Sequence, residues 1–217
     1  MKVLIEACVE TLEAAVAAAE GGAHRIELCA DLAVGGTSPG GDLLAACVAH
    51  LDIPVFVMVR PRSGDFCYSA AERTQMLEGI RRARDGGAQG IVTGALLSNG
   101  TVDESLTRAL IDCAQPLPVT FHRAFDACDD VEETLEALIA LGATRVLTAG
   151  GTRGAPDGSA TIARLVRLAA GRIGILAGGG INGDNVAALV RTSGVREVHL
   201  STKDADKIRR VAATLRS

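Results

Sequence analysis

The sequence predicts an α/β fold, a single (β/α)8 barrel domain over residues 1–217. Three observations predict it. Short β-branched runs alternate strictly with Ala- and Leu-rich helical runs, eight of each. The 217 residues allow about 27 per unit, the size of one strand–loop–helix–loop. Four segments share one grammar: a helix-ending Gly, a small residue, two spacers and an apolar strand. They begin at Gly22, Gly87, Gly142 and Gly194, spaced by 65, 55 and 52 residues, about two units each, and so mark the even strands. Glycine ends a helix in the left-handed region that is open to it. Strands three and five also open alike, as Ile53-Pro-Val-Phe-Val and Leu117-Pro-Val-Thr-Phe. Strict alternation without a second hydrophobic system argues for a closed barrel of the TIM type. An open doubly wound sheet competes, weakened by the absence of a Gly-x-Gly-x-x-Gly turn after strand one.

The units run in order. Lys2–Cys8 reads as a strand, and Thr11–Glu20 as a helix stopped at Gly21-Gly22. Arg25–Cys29 is the second strand and Leu43–His50 its helix. Val55–Val59, entered after Pro54, leads to helix Ala71–Asp85, closed by Gly86-Gly87. Gly90–Thr93 precedes helix Asp103–Ala114, and Val119–His122 precedes Val131–Leu141. Strand Val146–Thr148 goes with helix Thr161–Ala170, and Ile173–Ala177 with Asn185–Thr192. Glu197–Ser201 and Ala205–Leu215 close the chain.

Composition bounds the function. Apolar residues are 48% and charged ones 22%, the profile of a globular chain, while aromatics are only 2%, so the core is aliphatic. With 22 basic and 26 acidic residues and no basic cluster, nucleic acid is not an expected partner. Mean hydropathy is positive, but the longest apolar stretch, around Leu43–Val59, is broken by His50, Asp52 and Pro54, so no membrane span is expected. Glu6 interrupts the first apolar run, which argues against a signal peptide and for a cytoplasmic location. The six cysteines form no CxxC pair, and the single CxxH, Cys47-Val-Ala-His50, has no second ligand pair at finger spacing, so the zinc-finger and thioredoxin signatures are absent. Small buried thiols are the default reading for each.

In such a barrel the working face lies at the C-terminal ends of the strands, and alternation decides which side chains share a face. Glu6 and Cys8 share parity on strand one, as do Glu27 and Cys29 on strand two. Arg60 ends strand three, His122 strand five, Thr148 strand six and His199 strand eight. Buried unpaired, such groups are costly, so they should form a connected network, either structural ion pairs or a site. The loop Arg60-Pro-Arg62-Ser-Gly64-Asp65-Phe-Cys67-Tyr68 adds a second guanidinium and a carboxylate. Arginine forks suit a carboxylate or phosphate. Gly150-Gly151 and Gly178-Gly179-Gly180, the latter leading into a helix, read as a phosphate cradle of backbone N–H groups. Cys8 and Cys29 fall on neighbouring strands at the same parity and similar height. Two thiolates at low coordination number suit a soft ion such as Cu(I), and two inert core thiols fit the same pattern. His24 and His50 need no functional reading.

The blocks Glu6-Ala-Cys8-Val, Gly22-Ala-His-Arg25-Ile-Glu27-Leu-Cys29-Ala, Arg60-Pro-Arg62-Ser-Gly-Asp65-Phe and Thr120-Phe-His122-Arg123-Ala-Phe-Asp126 resemble the CutC family of copper homeostasis proteins. So do Arg145-Val-Leu-Thr148, Gly178-Gly-Gly-Ile and Glu197-Val-His199-Leu-Ser201. The resemblance runs from residue 1 to about 201 and again through the last helix. It implies a TIM-type barrel, a cytosolic location, self-association and Cu(I) handling, with the family's proposed copper ligands falling on Cys8 and Cys29. Members of that family carry a long loop after strand eight; here Ser201 is followed almost at once by Thr202-Lys203-Asp204.

Two functions are therefore in view. One is a cytosolic copper-homeostasis protein holding Cu(I) at Cys8 and Cys29. The other is an enzyme for a small anionic, or phosphorylated, metabolite. In the second, Glu27, Arg60, His122, Asp126 and His199 are catalytic, with His122 as acid or base and Glu27 or Asp126 setting its protonation state. Glu6, Arg62, Asp65, Arg123, Thr148, Gly179 and Gly180 then bind the ligand. Either protein is expected to be a homo-oligomer.

Overall fold

Eight parallel strands close into one barrel, each hydrogen-bonded to the next in sequence, with β8 returning to β1. The computed structural model describes residues 3–151, 153–201 and 204–216. The strands are β1 (Leu4–Val9), β2 (Arg25–Leu28), β3 (Val55–Met58), β4 (Gly90–Thr93), β5 (Val119–Phe121), β6 (Arg145–Thr148), β7 (Gly174–Gly178) and β8 (Glu197–Ser201). Following them are α1 (Leu12–Glu20), α2 (Gly41–His50), α3 (Ala70–Asp85), α4 (Glu104–Ala114), α5 (Val131–Leu141), α6 (Ser159–Ala169), α7 (Val186–Ser193) and α8 (Ala205–Arg216). The expected strand start at Lys2 and the short Thr202-Lys203 connection lie outside the described residues.

The order of elements is the one the sequence predicts, and the differences are local. Helices α2 and α6 start two residues early, because a first helical turn carries no apolar periodicity to read. Strand β5 stops at Phe121, so His122 is the first residue beyond it. Two 3-10 turns, Leu32–Val34 and Arg123–Ala127, are too short for any period and were not expected. The four repeat glycines all adopt the left-handed region: φ is +100° at Gly22, +88° at Gly87, +88° at Gly142 and +71° at Gly194.

Parity divides the barrel. One set of strand residues, including Ile5, Ile26, Leu28, Val57, Val146 and Val198, packs with helix residues such as Leu110, Leu138 and Ile162 in a continuous apolar layer. Burial of each large aliphatic side chain contributes about 1.5–3 kcal/mol. The other set points inward. Its apolar cluster is small: Cys8, Cys29, Phe56, Met58 and Val92. Gly90 makes room for it, since a Cβ there would lie 2.4 Å from the Phe56 ring. Charged and polar groups, with Leu147 among them, fill the rest of the interior.

Candidate functional site

The lower interior is a chain of ion pairs. Parallel register sets Glu6 beside Arg25 on β2 and beside His199 on β8. Arg25 Nε donates to one Glu6 oxygen, and His199 Nδ1 lies 2.8 Å from the other. Arg25 Nη2 also donates to Glu197 at 2.9 Å, which receives Arg145 Nε at 2.6 Å. The Phe56 ring lies against both guanidiniums, 4.8 and 5.6 Å from their carbons. Burial pushes the Glu6 carboxyl up, but His199 and Arg25 outweigh it and hold it down at about 2. His199 is pulled down by burial and raised, on balance, by Glu27 and Glu6.

Above this layer the strand ends open into a cavity of about 270 Å³. Cys8, Glu27, Arg60, His122, Arg123 and His199 line it, between walls of Met58, Phe66 and Leu147. Clefts of about 380 and 630 Å³ lie at the N-terminal ends of the strands, but neither gathers more than two titratable side chains. Chemistry, not size, marks the smaller cavity.

Three buried groups in it have unused capacity. Glu27 Oε1 accepts from Cys8 Sγ at 3.1 Å, while Oε2 makes no hydrogen bond and stands 3.9 Å from His199 Nδ1. Burial raises the Glu27 carboxyl, against the pull of His199. His122 Nδ1 accepts from the Ala124 N–H at 3.2 Å, closing the 3-10 turn after β5. That bond assigns the neutral ring's proton to Nε2, which is buried and without a partner. Burial, then the nearby Arg60 charge, pushes His122 down to about 3. Arg60 donates only to backbone carbonyls, Gly36 at 3.0 Å and Gly64 at 2.9 Å, and lies 4.8 Å from the Phe66 centroid. It is 5% exposed and has no carboxylate partner among the described residues.

The sulfurs of Cys8 and Cys29 are 2.8 Å apart and both thiols are free. Burial, with Cys29 and Glu27 adjacent, raises Cys8 well above the ordinary thiol range. For Cys29 the contact with Cys8 pulls down, yet burial and the nearby carboxylates prevail and raise it. A metal ion must displace these thiol protons. Cys8, Glu27 and His199 also offer one ligand atom each within 4.8 Å of one another, a donor set of S, O and N beside the second sulfur.

Several expected partners are placed elsewhere. Asp126 does not tune His122: its carboxylate accepts from Thr148 Oγ1, from the Ala149 N–H at 2.9 Å and from the Gly151 N–H at 3.2 Å, and it pairs with Arg123 at 2.7 Å. It supplies the negative charge that the β6 loop was expected to take from a ligand, and Thr148 is spent on it. Glu27 likewise engages Cys8 and His199 rather than His122. Arg62 pairs with Glu72 at 2.6 Å and Asp65 at 2.8 Å on the outside of its loop, so neither Arg62 nor Asp65 lines the cavity. Glu6 lies beneath it. Gly179 and Gly180 have φ of +99° and +69°, and a Cβ on Gly179 would lie 3.4 Å from Arg123 Nη1, so this loop borders Arg123 without reaching the cavity. Arg25, Arg145 and Glu197 were not expected in the site, although parity held the signal: Arg25 shares it with Glu27, and Glu197 with His199.

Among the described residues no helix is long and apolar enough to cross a membrane. The sequence profile of the CutC family matches residues 3–204. A family protein CutC of Pasteurella multocida (strain Pm70) is 48% identical over 199 residues, 92% of this chain and 82% of that protein. The copper homeostasis protein cutC homolog of Homo sapiens is 46% identical over 200 residues, 92% of this chain and 73% of that protein. In three dimensions the chain resembles the copper homeostasis protein CutC of Streptococcus agalactiae: TM-score 0.87 at 34% identity, covering 92% of this chain and 98% of the other.

Proposed function

From the premise that this chain belongs to the CutC family, matched over residues 3–204, we propose that it handles copper as Cu(I) in the cytoplasm, through Cys8 and Cys29. One observation carries this: the two free sulfurs meet at 2.8 Å where Cys8 lines the open cavity. Two thiolates are soft donors that suit Cu(I) at low coordination number. The test is an anaerobic Cu(I) titration of the reduced protein against a competing chelator. About one Cu(I) per chain is expected from a paired-thiolate site, and none in the Cys8→Ala, Cys29→Ala double variant. Unchanged uptake in the double variant overturns the reading. Self-association belongs to the same proposal and is read by sedimentation.

A second reading is favoured by Arg60. A buried guanidinium with no carboxylate beside it is costly, and an anion in the cavity would offset that cost. In this reading the cavity takes a small anionic metabolite, with Arg60 holding the anion. A thermal-shift screen over small phosphates and carboxylates should find a stabilising ligand that Arg60→Ala no longer binds. A screen without a hit counts against it.

A further inference from the structure

The geometry points to one reaction class for this cavity: we propose that it enolises small α-hydroxycarbonyl compounds carrying one anionic group. In that reaction Glu27 moves the carbon-bound proton and His122 polarises the carbonyl. The proposal rests on the small-anion reading above and is independent of copper.

Enolisation asks a site for three things: a charge to seat the substrate, a hydrogen-bond donor at the carbonyl oxygen, and an oxygen base beside the α-carbon. The cavity offers one of each. Arg60 brings a buried positive charge that no carboxylate among the described residues offsets. His122 presents Nε2–H, fixed as the donor because the Ala124 N–H occupies Nδ1. Glu27 presents Oε2, which makes no hydrogen bond among the described residues and stands 3.9 Å from His199 Nδ1. A neutral imidazole donor facing a carboxylate base is the pairing by which enolising isomerases stabilise an enediolate.

Other covalent chemistry fits less well. Among the described residues no lysine lines the cavity, so none of them offers the amine of a Schiff base. A cavity of about 270 Å³ equals about nine waters in liquid volume, room for three to five carbons and one anionic head. Met58, Phe66 and Leu147 supply apolar walls beside the polar groups.

The step balances without a co-reactant. Glu27 Oε2 takes the α-proton, the C–H pair becomes the C=C bond, and the carbonyl π pair moves onto oxygen. That oxygen takes the proton from His122 Nε2, and the ring regains one from the neighbouring hydroxyl. Glu27 returns its proton to the adjoining carbon, giving the isomer of the starting compound.

The test is deuterium exchange in D2O, followed by proton NMR, with a Cu(I) chelator present throughout. The probes are glyceraldehyde 3-phosphate, erythrose 4-phosphate, ribulose 5-phosphate and glyceraldehyde. Protein-dependent loss of an α-proton signal from a phosphorylated probe, and not from glyceraldehyde, is the expected result. Glu27→Gln should slow it about 10³-fold and His122→Asn about 10²-fold, with melting temperatures checked in parallel. Calorimetry with 2-phosphoglycolate, an unreactive enediolate mimic, distinguishes the reaction from the anion site. If it binds and no probe exchanges, the reaction is overturned while the anion site stands. If it does not bind, both fall. Exchange that survives in Glu27→Gln overturns the assignment of the base.

Discussion

Glu6 has no solvent contact, and each of its oxygens meets a cation, Arg25 on one side and His199 on the other. Glu6→Ala would strip Arg25 of one of its two carboxylates and His199 of its nearer one, and removal of one partner from a buried ion pair costs about 3–5 kcal/mol. The expected outcome is a lower urea midpoint at unchanged slope. The folded carboxyl titrates near 2, below the ordinary 4.5, so its stabilisation is complete above about pH 4.5 and is lost as pH falls toward 2. His122 acts in the same direction through different chemistry. Its folded value of about 3 lies below the ordinary 6.5, so between these pH values the unfolded chain binds a proton that the folded chain refuses. Stability therefore falls as pH drops below 6.5. In His122→Asn the amide oxygen can still accept from Ala124 while the titrating ring is gone. Its stability should fall less steeply over that window, by up to about 1.4 kcal/mol per pH unit, measured by urea unfolding at successive pH values. His199 has the opposite sign: raised in the fold, it stabilises at low pH and loses that contribution as pH rises through its folded value.

At the scale of elements, the ends of β1, β2, β3, β5 and β8 deliver the working groups and their neighbours hold them there. Strand β5 stops at Phe121, and the 3-10 turn that follows fixes His122 through the Ala124 N–H. The segment after β4 must pass close behind that ring. A Cβ on Gly94 would lie 2.7 Å from two His122 ring atoms. Gly94→Ala is thus expected to turn the imidazole and to cost about 1–3 kcal/mol. Its chemical shift and the binding of 2-phosphoglycolate should change together, and an unmoved ring resonance would show the segment giving way instead. Asp126 illustrates the same economy: one carboxylate serves Thr148 and the backbone of the β6 loop, fixing that loop without a ligand.

The whole molecule depends on closure. β1 pairs with β8, and α8 packs against α7 and α1 over that seam, burying Ile208, Val211 and Ala212. Removing residues 205–216 exposes the seam, and the expected result is loss of a single cooperative transition in calorimetry. A truncated chain that still melts in one sharp transition would show that the strands close without it. Closure also explains the charged interior. Glu6 and Arg25 are buried, Glu197 and Arg145 are partly buried, and only a ring of strands lets these partners distant in sequence neutralise one another.

The sequence by itself determined the eight units, the strand parity and hence the inward set of Glu6, Cys8, Glu27, Cys29, Arg60, His122 and His199. These follow from periods of two and 3.6 residues and from left-handed glycines, which are local properties of the chain. Which inward groups satisfy one another was decided only in three dimensions. Arg62 with Asp65 and Glu72, and Asp126 with Thr148, are spent on each other, whereas Arg60, Glu27 Oε2 and His122 Nε2 keep unused capacity. Partner choice depends on the height of each side chain along the barrel and on the bends of the loops above it. Those distances are set by closure, and no spacing along the chain encodes them.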